Sequence, residues 1–421
     1  MKLSTLARPI AAALALLVAP AFTPAAAAPH THAAQAEPDV IKTTDGRELS
    51  GTIVRELNGY VWLDMGVGSP LMFRPDEIAE IVRDSGVQAG ADPVIVSDEE
   101  RDWVDDPSIT RAAILTAEGP VGVQMSAKPL REAIPLLKEE GVELVVLKVK
   151  SGGGLGIEVQ RLSDVIHNEL KKEFQIVAWI EDAISAAAMT ALTLETIYFM
   201  PKGTFGAATG WSGQLKAVEG RSLEQFLYQM EKISARGNYD EAIMRAMQIN
   251  VPLSYDYDET TGEYDYYEST EGEFVLNDGE YILTFNAETA EAAGFSKGTA
   301  ATLDELTRIL QKSVGEIEWV GVEIAGEPYP IAKAELHQRE WREEVTFQER
   351  RFQEIYIKYE MEIGNATSVA IESRGGFIRA AQRYLQRIKR MVEINPNFGL
   401  LQGITDEWFL QQEERLRRLR R

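Results

Sequence analysis

Two short stretches hold the residues whose types could do chemistry. One is a serine set among small residues, Ile184-Ser185-Ala186-Ala187-Ala188; the other is a glycine turn, Ser151-Gly152-Gly153-Gly154. Each follows a short apolar run, Leu144 to Val149 before the glycines and Ile176 to Ile180 before the serine. Glycine lacks the Cβ that blocks close backbone approach, so the first turn can bring bare N–H groups against a ligand. A hydroxyl at a helix N-terminus beside backbone N–H groups has the parts of an acyl-transfer site, a nucleophile and donors for an oxyanion. On these residues alone a second reading stays open, in which Ser185 is a small residue for helix packing.

Those turns need elements to hold them. From Ile109 onward the pattern alternates between strand and helix. Strands are expected at 112–115 and 144–149, helices at 130–140 and 156–171, and Glu118-Gly119-Pro120 is a turn. Val159, Leu162, Val165, Ile166 and Leu170 recur at helical spacing. This β-α-β-α-β order predicts an α/β domain with a mostly parallel sheet and helices on its faces. Right-handed crossovers would gather the glycine turn and Ser185 at one sheet edge. Further helices are expected over 223–235, 287–295 and 302–311. The acidic, tyrosine-rich tract from Ser254 to Phe285 reads as a solvated hairpin or flap, because Asp256 and Asp258 lack the spacing and the glycine of a calcium loop.

The flanks differ in composition. Residues 37–86 alternate in the strand manner, with Asp45-Gly46 and Asn58-Gly59 as hairpin turns, and predict a small SH3-like or Sm-like β-barrel. Residues 87–108 are an acidic linker. Residues 331–421 carry long charged helical stretches, 332–363 and 367–392. Pro396 breaks the second, and Asp406 to Arg421 ends in a basic run. A helical hairpin or coiled coil suits docking or self-association, so a homo-oligomer is expected. Residues 1–36 read as a signal peptide and export region. Lys2 and Arg8 precede the apolar run Ile10 to Phe22, and small residues follow, with cleavage after Ala28 or Ala36. The expected location is the periplasm or the exterior. No later stretch reads as a span, since Ala178 to Met200 carries Glu181, Asp182 and Glu195.

Composition narrows the chemistry. A chain of 421 residues implies two or three domains. A net charge of −23 repels phosphate backbones, so nucleic acid is not an expected partner. The absence of cysteine excludes disulfides, thiolate zinc sites and cysteine nucleophiles, and four histidines leave little for a metal site. Neither a metal nor a cofactor is expected.

The stretches Ile109 to Gly122, Glu143 to Leu155 and Trp179 to Gly210 together resemble the ClpP/crotonase fold. They are most similar to its serine peptidases of NfeD type and to signal peptide peptidase A. In those families a Thr/Ser-Pro-Gly-Gly turn supplies an oxyanion amide; the matching residues are Ser151 to Gly154, with glycine in the proline place. The nucleophile stretch matches Ile184-Ser185-Ala186-Ala187, followed by Ala191-Leu192 and by Met200-Pro201-Lys202-Gly203 through Gly206-Ala207. The resemblance implies Ser185 as nucleophile, the N–H groups of Gly154 and Ala186 as the oxyanion hole, and peptide or protein substrates. It covers about 109 to 312, within an expected peptidase domain of 109–330.

A serine nucleophile needs a base. His167 precedes the serine on a helix and His337 lies outside the domain, so a Ser-His-Asp set is hard to assemble, whereas Ser-Lys is a known variant. The NfeD-type lysine context, Val-Glu-x-Lys, corresponds here to Val218-Glu219-Gly220-Arg221. Arginine stays protonated and cannot serve as a base. Lys216, five residues away, is the remaining candidate. Three functions follow as expectations: an exported Ser-Lys endopeptidase; a pseudopeptidase that binds peptide or scaffolds an assembly; and a crotonase-like acyl-CoA enzyme, which export and the acidic chain disfavour.

Overall fold

A computed structural model describes residues 39–44, 46–57, 60–65, 71–73, 78–83, 106, 108–212, 216–324 and 326–421. The expected signal peptide, and Trp103 with most of the 87–108 linker, lie outside these residues. Two compact units partition the chain, Met1–Ser97 and Asp98–Arg421.

In the first unit the alternating pattern forms β1 (Asp39–Thr43), β2 (Glu48–Leu57), β3 (Tyr60–Asp64), β4 (Leu71–Phe73) and β5 (Ile78–Val82). They make an antiparallel sheet in the order β4-β3-β2-β1-β5 around Ile41, Val61, Leu63 and Phe73. No pairing of β4 with β5, which would close a barrel, is present among the described strands.

The second unit opens with β6 (Ile109–Glu118), α1 (Ala127–Glu139), β7 (Leu144–Ser151) and α2 (Gly156–Val165), which runs through a π turn (Ile166–Leu170) into α3 (Lys171–Glu173). Then come β8 (Gln175–Ile184), α4 (Ala186–Ala191), β9 (Ile197–Gly206), the short pair β10 (Trp211–Ser212) and β11 (Lys216–Ala217), α5 (Gly220–Ala235) and α6 (Glu241–Ala246). The tyrosine-rich tract forms β12 (Pro252–Asp258), β13 (Glu263–Tyr267) and β14 (Phe274–Asp278), an antiparallel sheet of its own in the order β13-β12-β14. β15 (Thr284–Asn286), α7 (Ala287–Ala292), α8 (Leu303–Val314) and β16 (Glu316–Trp319) complete the α/β part.

The central sheet runs β15-β9-β8-β7-β6-β16, parallel throughout except for β15 at one edge. Parallel strands covered on both faces read as continuous apolar runs, which is why β6 and β7 lack alternation. Ala113, Leu115, Val145, Leu147, Val149, Ala178 and Ile180 join one core with α1, α2 and α4. Residues at the intervening positions, Ile114, Val146 and Trp179, are buried too, and the Trp179 indole donates to the Ala300 carbonyl.

The C-terminal quarter comprises α9 (Lys333–Ser368), a 3₁₀ turn (Ile371–Ser373), α10 (Gly375–Ile394), α11 (Pro396–Gln402) and α12 (Asp406–Leu419). Their buried residues, Phe352, Ile355, Tyr359, Ile363, Ile378, Leu385, Ile388, Phe398 and Leu416 among them, form a separate core. Spacing of three and four along α9 and α10 produces that stripe. The root of α9 is fixed to β6 by a carboxylate. Glu335, fully buried, accepts from the Thr116 N–H and hydroxyl, both at 2.7 Å, and from Arg339 at 2.7 Å. Among the described residues no helix is long and apolar enough to cross a membrane.

Candidate active site

Register decides where the two turns meet. β7 and β8 are adjacent and parallel, and Ser151 pairs with Ala183 across them. The chain therefore leaves both strands at the same sheet edge, with the glycine turn beside the approach to Ser185. The juxtaposition is intimate: a Cβ added to Gly153 would lie 2.5 Å from the Ser185 Cβ and 3.0 Å from its Oγ. Only glycine fits there, and Gly153 also holds a left-handed φ of +97°.

Ser185 itself sits at φ 58°, ψ −125°, a backbone conformation that L residues rarely adopt. Its N–H donates to the Gly206 carbonyl at 2.8 Å, and its carbonyl accepts from Met189 N–H at 3.1 Å to start α4. The strand thus turns sharply into the helix, with the serine at the corner. Ala186, Ala187 and Ala188 are all buried, and their small side chains let α4 press onto the core. Ala186 is the first residue of α4, where helical N–H groups have no intrahelical acceptor. Among the described residues the half-buried Ser185 hydroxyl makes no hydrogen bond.

Gly154 is held from the other side by Val121. The Val121 N–H donates to the Gly153 carbonyl at 2.9 Å, and Leu155 N–H donates to the Val121 carbonyl at 3.0 Å. This parallel bridge turns the Gly154 N–H away from Val121. A Cβ on Gly154 would lie 2.3 Å from the Val121 carbonyl oxygen, so this glycine too has no substitute. Val121 and the Gly206 carbonyl are site-forming groups that the sequence did not single out by role. Gly206-Ala207 was visible only within the family motif.

A bulge precedes the serine. Register shifts on both sides of β8 make Glu181 the extra residue. Its carboxylate lies 2.6 Å from both Lys148 and Lys150. Burial opposes that charge, but the two lysines outweigh it and hold the carboxyl below its usual range; the same contact raises Lys150. Asp182 accepts from the Thr204 hydroxyl at 2.7 Å. None of these groups bonds Ser185.

The candidate base, Lys216, and the residues set aside for that role stand as follows. Lys216 opens β11, paired with Ser212, and its side chain lies outside what the structure describes. Arg221 is exposed in the first turn of α5. Phe226 of that helix packs against Gly210, and a Cβ on Gly156 would sit 3.9 Å from the same ring, so α5 borders the turn that follows Gly154. His167 is in the π turn, near Arg236 and Lys171. Burial first, then those charges, depresses its pKa, and its Nδ1 is buried without a partner. His337 lies 3.2 Å from Glu132. Among the described residues no group of three or more acidic or histidine side chains could hold a metal.

Residues 125–320 match the family model described as the N-terminal domain of NfeD1b. This part of the chain resembles an NfeD-type domain. Membrane protein NfeD1b of Bacillus subtilis (strain 168) is 27% identical over 183 residues, 43% of this chain and 37% of that protein, so the match spans well under half of the curated relative. Two solved structures are also similar. The 1510-N membrane-bound stomatin-specific protease is 12% identical with a TM-score of 0.36, covering 52% of this chain and 100% of that one. The 1510-N membrane protease specific for a stomatin homolog from Pyrococcus horikoshii is 12% identical with a TM-score of 0.34, covering 50% and 92%. The matched residues include the glycine turn, Ser185, Lys216 and Arg221.

Proposed function

We propose that the NfeD-type domain is an exported serine endopeptidase of Ser-Lys type. Ser185 Oγ attacks the scissile carbonyl carbon, the Gly154 and Ala186 N–H groups receive the oxyanion, and the departing amine takes the serine proton from the base. Water then hydrolyses the acyl-enzyme. The carrying observation is the elbow: a serine at φ 58°, at the head of α4, packed against Gly153 with its hydroxyl unused. Strain of this kind persists where surrounding structure over-determines it, and it clusters at functional sites. Lys216 is the base in this reading, since Arg221 cannot release its proton. The N-terminal sheet is read as an SH3-like or Sm-like barrel and the first 36 residues as the export signal.

One observation favours a second reading. No described side chain pairs with the Ser185 hydroxyl, and the residue in the family's lysine place is an exposed arginine. A pseudopeptidase that binds extended peptide without cutting it would look the same.

Fluorophosphonate labelling of the protein, with mapping of the adduct and Ser185→Ala as control, separates the two. An adduct on Ser185 supports the peptidase. Peptide binding by folded protein that never labels supports the second reading.

A further inference from the structure

The glycine turn stands between two supports that are themselves held from outside the α/β domain. On one side stands the turn 121–125, whose Val121 forms the bridge to Gly154. On the other stands the first turn of α2, which begins two residues after Gly154. The root of the C-terminal helices reaches both. The amide of Asn395, a residue only 2% exposed, donates to the carbonyls of Gly122 at 3.4 Å and Val123 at 3.3 Å. Asn397, 3% exposed, donates at 2.9 Å to the carboxylate of Glu158 and accepts from Arg161 at 2.9 Å.

Glu158 is the hub. Its side chain is 2% exposed, and its other oxygen accepts from the Ser126 hydroxyl and the Ala127 N–H, both at 2.8 Å. It therefore ties α2 to the start of α1, where the 121–125 turn ends. Gln124 adds a bond to Thr346 of α9 at 2.8 Å. A buried carboxylate needs all its hydrogen bonds, because an unmet one leaves charge without compensation.

We infer that the helices α9–α12 set the oxyanion turn, with Asn395 and Asn397 as positioning residues that hold its two supports at a fixed separation. A misplacement of about 1 Å can cost a reaction roughly a hundredfold, and donors aimed at a developing charge are placed to within such margins. The arrangement also makes the outer helices a place from which the site can be regulated: whatever pulls the root of α11 moves Val121 and α2 together. This inference rests on the peptidase reading for its catalytic consequence, though not for the mechanical one.

The test uses the full chain with Asn395→Ser. Serine keeps the acceptor that Asn395 gives to the Asn397 N–H at 3.1 Å, and so keeps the α11 cap, but cannot span to Gly122 and Val123. Hydrogen exchange is followed at 150–156 and, for reference, at 176–181 in β8. Exchange at 150–156 should rise about tenfold with β8 unchanged, and Arg415→Met, which cuts the outer Arg415–Glu360 pair, should not reproduce it. Where wild type labels with fluorophosphonate, labelling should slow about fivefold. Unchanged exchange at 150–156, or a rise shared by β8 or by Arg415→Met, overturns the inference. A loosened turn in a protein that never labels supports the positioning and rejects the peptidase.

Discussion

Gly153 and Ser185 touch: the serine Cβ occupies the space where a Cβ on Gly153 would be, at 2.5 Å. The contact locks the glycine turn and the serine elbow into one unit, and it makes position 153 intolerant of any side chain. Gly153→Ala should therefore lower stability by about 2–4 kcal/mol, combining backbone strain at φ +97° with overpacking. Urea unfolding measures it, and a loss below half a kilocalorie would mean that the two turns separate easily.

The elbow makes a contrary prediction for the serine itself. Any L residue is strained at φ 58°, ψ −125°, and glycine is not. Ser185→Gly should be more stable than Ser185→Ala by about 1–2 kcal/mol, after the greater flexibility of unfolded glycine is allowed for. Both lack the hydroxyl, so neither should label. Equal stabilities would show that the strain is relieved in solution.

How far these features were legible depends on their range. The glycine turn and the serine beside it show in the sequence because each follows a short apolar run that reads as a buried parallel strand, though helix packing alone would also account for the small residues around Ser185. β16 did not show because it is only four residues long, too short for the alternation of Glu316 and Glu318 with Ile317 and Trp319 to stand out. Pro396 was legible as the end of one helix; it is also the first residue of α11, where its missing N–H is no loss. Glu158 and Asn397 were not legible at all. They lie 239 positions apart, and nothing local in either residue names its partner.

Glu335 gives the sharpest stability test of the helical region. It is fully buried and bonded to Thr116, Arg339 and, at 3.5 Å, Arg342. Removing one side of such a network strands the remaining charges, so Glu335→Ala should destabilise by about 3–5 kcal/mol. Thermal or urea unfolding reads it; a change under about 1 kcal/mol would mean that α9 is not anchored through this residue.

His167 should leave a mark on the pH dependence of stability. Burial lowers its folded-state pKa beneath the unfolded value of 6.5. Between those two values the unfolded chain binds more protons, so stability is held above the unfolded pKa and lost as pH falls through the folded one. His167→Gln should flatten the decline in unfolding free energy below pH 6.5 relative to wild type. An identical slope in the two proteins would place the acid sensitivity elsewhere.

The base is the last test, and Lys216 and Arg221 should give opposite results. Arginine keeps its proton at every accessible pH, so Arg221 cannot activate the serine, and it is exposed besides. Lysine in water is almost wholly protonated at neutral pH, with a pKa of about 10.4, and must be desolvated to act. With Lys216 as the base, Lys216→Ala should slow fluorophosphonate labelling of Ser185 by at least about a hundredfold, while Arg221→Ala stays within about twofold. The pH profile of labelling should then rise with an apparent pKa below that of free lysine and lose that limb in Lys216→Ala. Labelling that survives Lys216→Ala with its pH profile intact removes lysine from the mechanism.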